Sequence, residues 1–369
     1  MAQTYSPAGT VRTGLTPQHW DSDFFRDYVR ASRYKRYFGT DSSAMFQIKE
    51  ELTKKKGDTI TIALVNELVG NGVTGNTTLK GNEERMGLRS MSLTVDVLRH
   101  AVAVDDWDEQ KSVIDLREAA RAQLREWSMK QLRDACTNAL GQIDGVNFES
   151  STATQRNTWV TNNEDRVLFG DTISNYNATF LTAANAIGVS AQCSPLSLSL
   201  LKRRAQAASP KIKPIYVKEM DQEWYVVFIG PQAWRDLTED NPTTNVLTLA
   251  NRDARVRGVD NPLFTGDSLV WDGMILREIP EIAPLATISG SGGARLAPVY
   301  LCGAQAVGIA WAQRTKSTTD TDDYGFLHGV GVQEIRRIEK LRFGTAAGAD
   351  QTTPKDHGIA TAFFASAAD

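Results

Sequence analysis

Apolar and polar residues alternate with a period of two in two separate runs, and the stretch between them is rich in glycine. The first run spans residues 59–68, and the second places Met91, Leu93, Val95 and Val97 on one face against Ser92, Thr94 and Asp96 on the other. Joined through Gly70, Gly72, Gly75 and Gly81, they predict an extended β-hairpin with a conformationally free tip. Glycines offer no side chain with which to pack that tip on its own subunit, so a neighbour is expected to cover it. The candidate contacts are Gly70, Gly72, Val73, Thr74, Gly75, Leu79, Lys80, Glu83 and Arg85. The alternation breaks at Leu98, Arg99 and His100 before Val102 and Val104 resume it, and a one-residue slip moves side chains across a sheet. The root of the hairpin is therefore placed there, and Gly57, Leu98, Arg99 and His100 are the candidate hinge.

The period then changes to that of a helix. Val113, Leu116, Ala120, Leu124, Trp127, Leu132, Cys136 and Leu140 recur at near-helical spacing, with charged residues on the other faces. Ser112 is the candidate N-cap, with Asp115 three positions on, and Gly141 marks the end. At ~1.5 Å per residue such a helix extends roughly 40 Å, a spine across a flat body. Asp105, Asp106, Asp108 and Glu109 stand before it, where carboxylates favour the positive end of the helix dipole.

Beyond Gly141 the pattern is weaker. Residues 144–165 are polar with little period; a helix is predicted from a cap at Asp171 to about Ile187, and another from Ser194 through Ala208. Residues 215–217 and 224–229 read as strands, 232–237 as a short helix, 269–278 as a strand pair turned at Asp272 and Gly273, and 299–312 as one buried element. Residues 334–343 alternate charged and apolar positions. The last segment, from Gly344, carries too little apolar surface for a core of its own apart from Phe363 and Phe364, and is expected to stay mobile unless a neighbour holds it.

At the other end, residues 20–38 combine aromatics with Arg26, Arg30, Arg33, Lys35 and Arg36. Phe24, Phe25, Tyr28 and Tyr34 need a surface to cover, either on their own domain or on a neighbouring subunit, and they are the candidate contacts of an N-terminal arm.

The order of arm, glycine-tipped hairpin, spine helix and mixed α/β region resembles the major capsid proteins of tailed bacteriophages with the Hong Kong 97-type fold. Within them the wording is similar to the coat proteins of the phage N-four group, in FQIKEEL from Phe46, KKGDTITIALVNEL from Lys55, GVTGNTTLKGNE from Gly72, LRHAVAV from Leu98, DLREAA from Asp115 and IRRIEKLRF from Ile335. The resemblance implies an α+β fold divided into an arm (1–57), an extended hairpin loop (58–98), a peripheral domain (99–168) with its spine helix at about 112–140, an axial domain (169–312), a return to the peripheral domain (313–345) and a tail (346–369). It also implies pentamers and hexamers of this chain closing an icosahedral head around double-stranded DNA, assembly in the host bacterial cytoplasm, and portal, scaffolding and possible decoration proteins as partners. No fused protease or scaffolding segment is visible before Thr40, which places assembly guidance on another protein. Capsids of this fold can join a hairpin lysine to a neighbour's asparagine. For Lys80 the expected state is a solvated or ion-paired amine, because the sequence shows no desolvating pocket with a carboxylate to activate it.

Composition is compatible with this and removes other readings. Hydrophobic residues make up 41% of the 369 positions, no run approaches the ~18 apolar residues of a membrane span, and the first 17 residues lack a signal-peptide core. A net charge of -3 argues against dedicated phosphate contacts, so any DNA contact is expected to be weak and local. Lys202, Arg203, Arg204, Lys211, Lys213 and Lys218 form the most basic stretch, either a plain solvent-facing surface or a place to meet DNA, a scaffold or an adjacent subunit. Cys136, Cys193 and Cys302 are few and scattered, as buried small hydrophobes are.

Chemical motifs find bland explanations. Gly70, Gly72 and Gly75 match a dinucleotide-binding G-x-G-x-x-G, but a strand and not a helix follows. Asp320, Asp322 and Asp323 open like a calcium loop whose later ligand positions are Tyr324 and Gly331. No catalytic residue, cofactor or metal ligand is predicted. The rivals to a capsid subunit are an encapsulin-like compartment shell of the same fold and a soluble α/β enzyme, which would need a pocket of convergent polar groups.

Overall fold

A computed structural model describes residues 33–50, 57–65, 72–76, 78–83, 88–112, 115–217, 222–238, 269–344 and 353–366. In chain order its strands are β1 (Phe38–Gly39), β2 (Phe46–Lys49), β3 (Thr59–Val65), β4 (Leu88–Thr94), β5 (Asp96–Asp105), β6 (Val167–Phe169), β7 (Ile215–Val217) and β8 (Gln222–Ile229). They continue as β9 (Leu269–Trp271), β10 (Met274–Glu278), β11 (Arg295–Cys302), β12 (Val307–Asp322), β13 (Leu327–Lys340), β14 (Arg342–Gly344), β15 (Pro354–Asp356) and β16 (Ile359–Ser366). Two sheets organise the body: a five-stranded one in the order β1-β2-β12-β13-β5, and a seven-stranded one in the order β6-β16-β11-β8-β10-β9 with β7 beside β8.

The spine helix runs Leu116–Gly141 and lies across β13 and β5. Its N-cap is Asp115, whose carboxylate accepts from the Arg117 and Glu118 amides at 3.0 and 3.1 Å. Ser112, the cap expected from the sequence, instead ends a separate short helix, Asp106–Lys111. Asp106, Asp108 and Glu109 fall in the first turn of that helix, where its dipole favours them, so the acidic run makes a helix of its own. The buried stripe of the spine, Leu124, Leu132, Cys136, Ala139 and Leu140, meets Ile309, Trp311, Val330, Val332 and Ile338 of the sheet. Full burial of each leucine contributes ~2 kcal/mol toward the cost of ordering so long a helix. Phe228, Tyr300 and Cys302 of the second sheet belong to the same cluster, so the core runs from one sheet to the other.

The seven-stranded sheet carries helices on its faces. Ser194 caps the helix Pro195–Ala207 through a capping box with Ser197, and Leu198, Leu201 and Ala205 pack into the core below. This helix, the helix Pro231–Thr238 and the pair β9–β10 agree with the sequence pattern. Three expectations do not hold. The stretch 144–165 contains the helix Ala153–Asn162, closed by a capping box between Thr152 and Gln155. The helix predicted from Asp171 is confined to Phe180–Asn185. The apolar run 299–312 is two strands, β11 and the start of β12, which enter different sheets.

The largest correction concerns the C-terminal segment. β16 is not a mobile tail but lies between β11 and β6, antiparallel to the first from Arg295↔Ser366 to Cys302↔Ile359 and parallel to the second. All eight of its residues are buried. Phe363 and Ala365 face one cluster with Phe148, Trp159 and Phe180, while Ala360, Ala362 and Phe364 face another with Leu198, Val227 and Leu301. A polar hub fastens the approach to it. The Asp356 carboxylate accepts from Lys340 Nζ at 2.7 Å and Trp159 Nε1 at 2.9 Å, and its amide donates to Asn163 Oδ1 at 2.8 Å. Arg166, almost wholly buried, donates to the carbonyls of Asp356, His357 and Pro210. Buried charges persist when paired and hydrogen-bonded in this way.

Candidate assembly surfaces

The hairpin stem is fixed to the body by one of its faces. β3 and β4 pair antiparallel from Thr59↔Thr94 to Val65↔Leu88. Ile60, Ile62, Met91 and Leu93 point inward and cluster with Ala310, Leu341 and Phe343, while Thr61 and Ser92 face outward within 3.4 Å of one another. Close approach depends on Gly308 of β12. A Cβ there would stand 2.8 Å from Leu341 Cδ2 and 3.0 Å from the Cδ1 atoms of both Ile62 and Leu93. The Arg342 amide completes the dock with a 3.3 Å hydrogen bond to Met91 Sδ.

Past the stem the described residues are shaped by local turns and hydrogen bonds. Gly72, Gly75 and Gly81 have φ of +71°, +71° and +94°, values that favour glycine, and nothing lies within 4 Å of the position a Cβ would take at any of them. The Gly81 amide donates to Glu83 Oε2 at 2.7 Å, Asn82 Nδ2 to the Thr78 carbonyl at 2.9 Å, and the Asn82 amide to the Leu79 carbonyl at 2.9 Å. Glu83 thus shapes the turn in its own chain, whatever else it meets. Leu79 is 62% exposed beside exposed Thr74 and Lys80, and Val73 is half-buried. Gly70 and Arg85 lie outside the described residues. The chain returns from the tip into β4, so the glycines do not open a nucleotide-binding helix.

Two other sets of expected contacts change. Phe24, Phe25 and Tyr28 lie outside the described residues. Tyr34 is 0% exposed in its own subunit, its ring 5.2 Å from Phe46 and 5.3 Å from Phe228 and its hydroxyl 2.8 Å from Thr137 Oγ1. A side chain already enclosed in its own core is not an anchor on a neighbour. Of the residues expected to form the hinge, all but Gly57 lie within a strand. Leu98, Arg99 and His100 pair with Glu334, Gln333 and Val332 inside an unbroken β5, and the His100 ring lies tilted against Trp127 of the spine with centroids 4.5 Å apart. The chain passes from the hairpin to the five-stranded sheet at Val95, whose amide donates to the Asp58 carbonyl, while the Val97 amide donates to Asp96 Oδ1. Exposed Gly57 precedes β3 directly.

The opposite end of the five-stranded sheet was missed as a surface. There the β12–β13 turn sets exposed Tyr324 and Phe326 beside Trp107 of the short acidic helix, and the Asp106 amide donates to the Phe326 carbonyl at 3.1 Å. Asp320, Asp322 and Asp323 lie on this turn, and Asp322 accepts from the Asp323 amide at 2.8 Å. Among the described residues no group of three or more His, Cys, Asp or Glu is placed to hold a metal ion. In the basic stretch Lys202 pairs with Asp272 at 3.0 Å and Arg204 donates to the Glu164 and Val167 carbonyls; Lys218 lies outside the described residues. The three cysteines are buried free thiols, and burial pushes Cys136 up to about 12.

A spine helix over a long-stranded sheet, a second sheet closed by the C-terminal strand, and a docked hairpin with a standing tip together make the α+β architecture of a viral shell subunit. The cyanophage Pam1 capsid protein superposes with a TM-score of 0.81 at 33% identity, over 93% of this chain and 94% of that one. The capsid of Ralstonia phage GP4 shares the fold with a TM-score of 0.70 at 20% identity, over 91% of each chain. The chain belongs to the phage capsid protein family, whose match spans residues 10–368. It is also similar to the major capsid protein of Pseudomonas phage KPP25, with 26% identity over 94% of each chain. Its role is structural and not enzymatic: it is a major capsid protein that self-associates into the capsid shell.

Proposed function

We propose that this chain forms the pentamers and hexamers of an icosahedral tailed-phage head around double-stranded DNA, and that its fold is the Hong Kong 97 type in the phage N-four-like group. The carrying observation is the contrast within the hairpin: a stem locked to the body through Ile60, Ile62, Met91 and Leu93, and a tip whose glycines Gly72, Gly75 and Gly81 have nothing packed against their Cβ positions. A rigidly presented, uncovered tip reaches a fixed point on the next subunit, and heterologous contacts repeated in this way close rings. In this reading the spine helix and five-stranded sheet are the peripheral domain, and the seven-stranded sheet, β16 included, is the axial domain that gathers at the symmetry axes. The N-terminal arm threads along neighbours, and Val95 with Gly57 supplies the joint that adapts the hairpin to non-equivalent positions. Portal and scaffolding proteins, in the host cytoplasm, guide closure, and DNA meets the inner surface weakly, a reading the net charge of -3 supports.

Deleting residues 69–80 is the direct test. The variant is expected to remain a soluble, folded subunit by circular dichroism while electron microscopy shows no shells. Normal shells from it would remove the role assigned to the tip.

A further inference from the structure

The end of the five-stranded sheet farthest from the docked hairpin concentrates charge that the subunit does not neutralise. Leu327 pairs with both Asp105 and Asp322, and Gly329 pairs with Asp320, so two acidic runs meet there. Arg117 serves Asp106 at 2.7 Å and Glu109 at 2.6 Å, and His328 Nε2 approaches Asp106 at 3.0 Å. Asp108, Asp320, Asp322 and Asp323 are exposed and make no ion pair among the described residues. Trp107, Tyr324 and Phe326 are exposed in the same place, and Lys111 Nζ already sits 4.4 Å from the Trp107 ring centroid. Carboxylates interleaved with open aromatic faces bind cationic side chains, guanidinium groups above all, through charge and through the ring.

We propose that this end receives the basic edge formed by Arg33, Lys35 and Arg36 of a second copy of the chain. The proposal rests on the capsid reading and names one of its contacts. All three residues are exposed and unpaired among the described residues, and they flank Tyr34, which is pinned in the core. That pin fixes where they stand. Tyr34 bonds to Thr137 near the C-terminal end of the spine, whereas Arg117 and its acidic partners lie at the N-terminal end, about 30 Å away at the helical rise. An arginine side chain cannot bridge that gap, so the basic edge meets an acidic end only on another copy. Opposite charges at opposite ends of one rigid helix make the subunit complementary to its neighbour head to tail, the arrangement that propagates through an array. The basic stretch around Arg203 is the weaker candidate, because Lys202 and Arg204 already have partners in their own chain.

Charge reversal in the full-length chain tests this. Asp108→Lys with Asp320→Lys is one variant, Lys35→Glu with Arg36→Glu is a second, and the four substitutions together are the third. Each pair alone is expected to lower the sedimenting shell fraction roughly tenfold at low salt, and the fourfold variant to recover it to within roughly twofold of the unaltered chain. Recovery cannot come from a misfolded subunit. Either pair assembling like the unaltered chain, or a fourfold variant no better than the worse pair, overturns the contact and leaves the capsid reading standing. Failure of the unaltered chain to form shells under the same conditions, with its portal and scaffolding partners supplied, sinks both.

Discussion

Lys340 Nζ and Asp356 Oδ2 stand 2.7 Å apart with side chains only 1% and 2% exposed, joining the end of β13 to the strand that leads into β16. The pair ties the five-stranded sheet to the C-terminal segment at a point neither water nor salt reaches. Trp159 shares it, donating to the same carboxylate oxygen and lying with its ring 5.2 Å from the lysine nitrogen.

Removing one partner strands the other charge in the core. Asp356→Ala is expected to cost roughly 3–5 kcal/mol in equilibrium urea unfolding, while replacing both residues by apolar ones of similar volume costs much less. A single-site loss below about 1 kcal/mol would show that the hub does not hold β16 in place.

Gly308 is the point where the hairpin comes closest to the body. Gly308→Val forces Ile62, Leu93 or Leu341 to move, and overpacking of this kind costs about 1–3 kcal/mol. Because the strain falls on the dock, amide hydrogen exchange should accelerate in β3 and β4 and stay unchanged in β11 and β16. Uniform acceleration would place the damage in the global fold instead.

His357 gives the subunit an acid limit. Burial, with the nearby charges of Arg166, Lys213 and Arg89, holds its imidazole down at about 4. The unfolded chain takes up this proton below pH ~6.5 and the folded chain does not, so the contribution is fully present above pH ~6.5 and is lost as pH falls toward 4. The loss amounts to at most about 3 kcal/mol, and His357→Gln should flatten that part of the stability profile of the unassembled subunit. An unchanged slope would assign the acid sensitivity to other groups.

Legibility in the sequence followed periodicity. The hairpin alternation, the spine stripe from Leu124 to Leu140 and the Ser194 cap each carry a local signal with one buried face, and each formed where its pattern placed it. β16 carries no such signal, because IATAFFAS is buried on both faces and a strand covered on both sides has no reason to alternate. Its small residues read as a polar tail until Phe148 and Leu201 are seen to close on it from opposite sides. Tyr34 misled for a related reason: an aromatic in a basic segment looks like an anchor for a neighbour, and only long-range packing against Phe228 and Thr137 shows that its partner is its own chain. The turns of the tip were legible through their glycines, three of which take the positive φ that glycine favours. The acidic end was not, since it exists only where β5, the short helix and the β12–β13 turn converge.

The place of β16 between β6 and β11 also sets a clock. During synthesis the strands on either side emerge first, β6 well over a hundred residues earlier, and the slot between them stays open until residue 366 has left the ribosome. A nascent chain therefore holds an unfinished sheet from the emergence of β11 until β16 is added. The sheet is complete only once that segment has been made, so a chain cut short before β16 is expected to leave the facing edges of β6 and β11 unpaired.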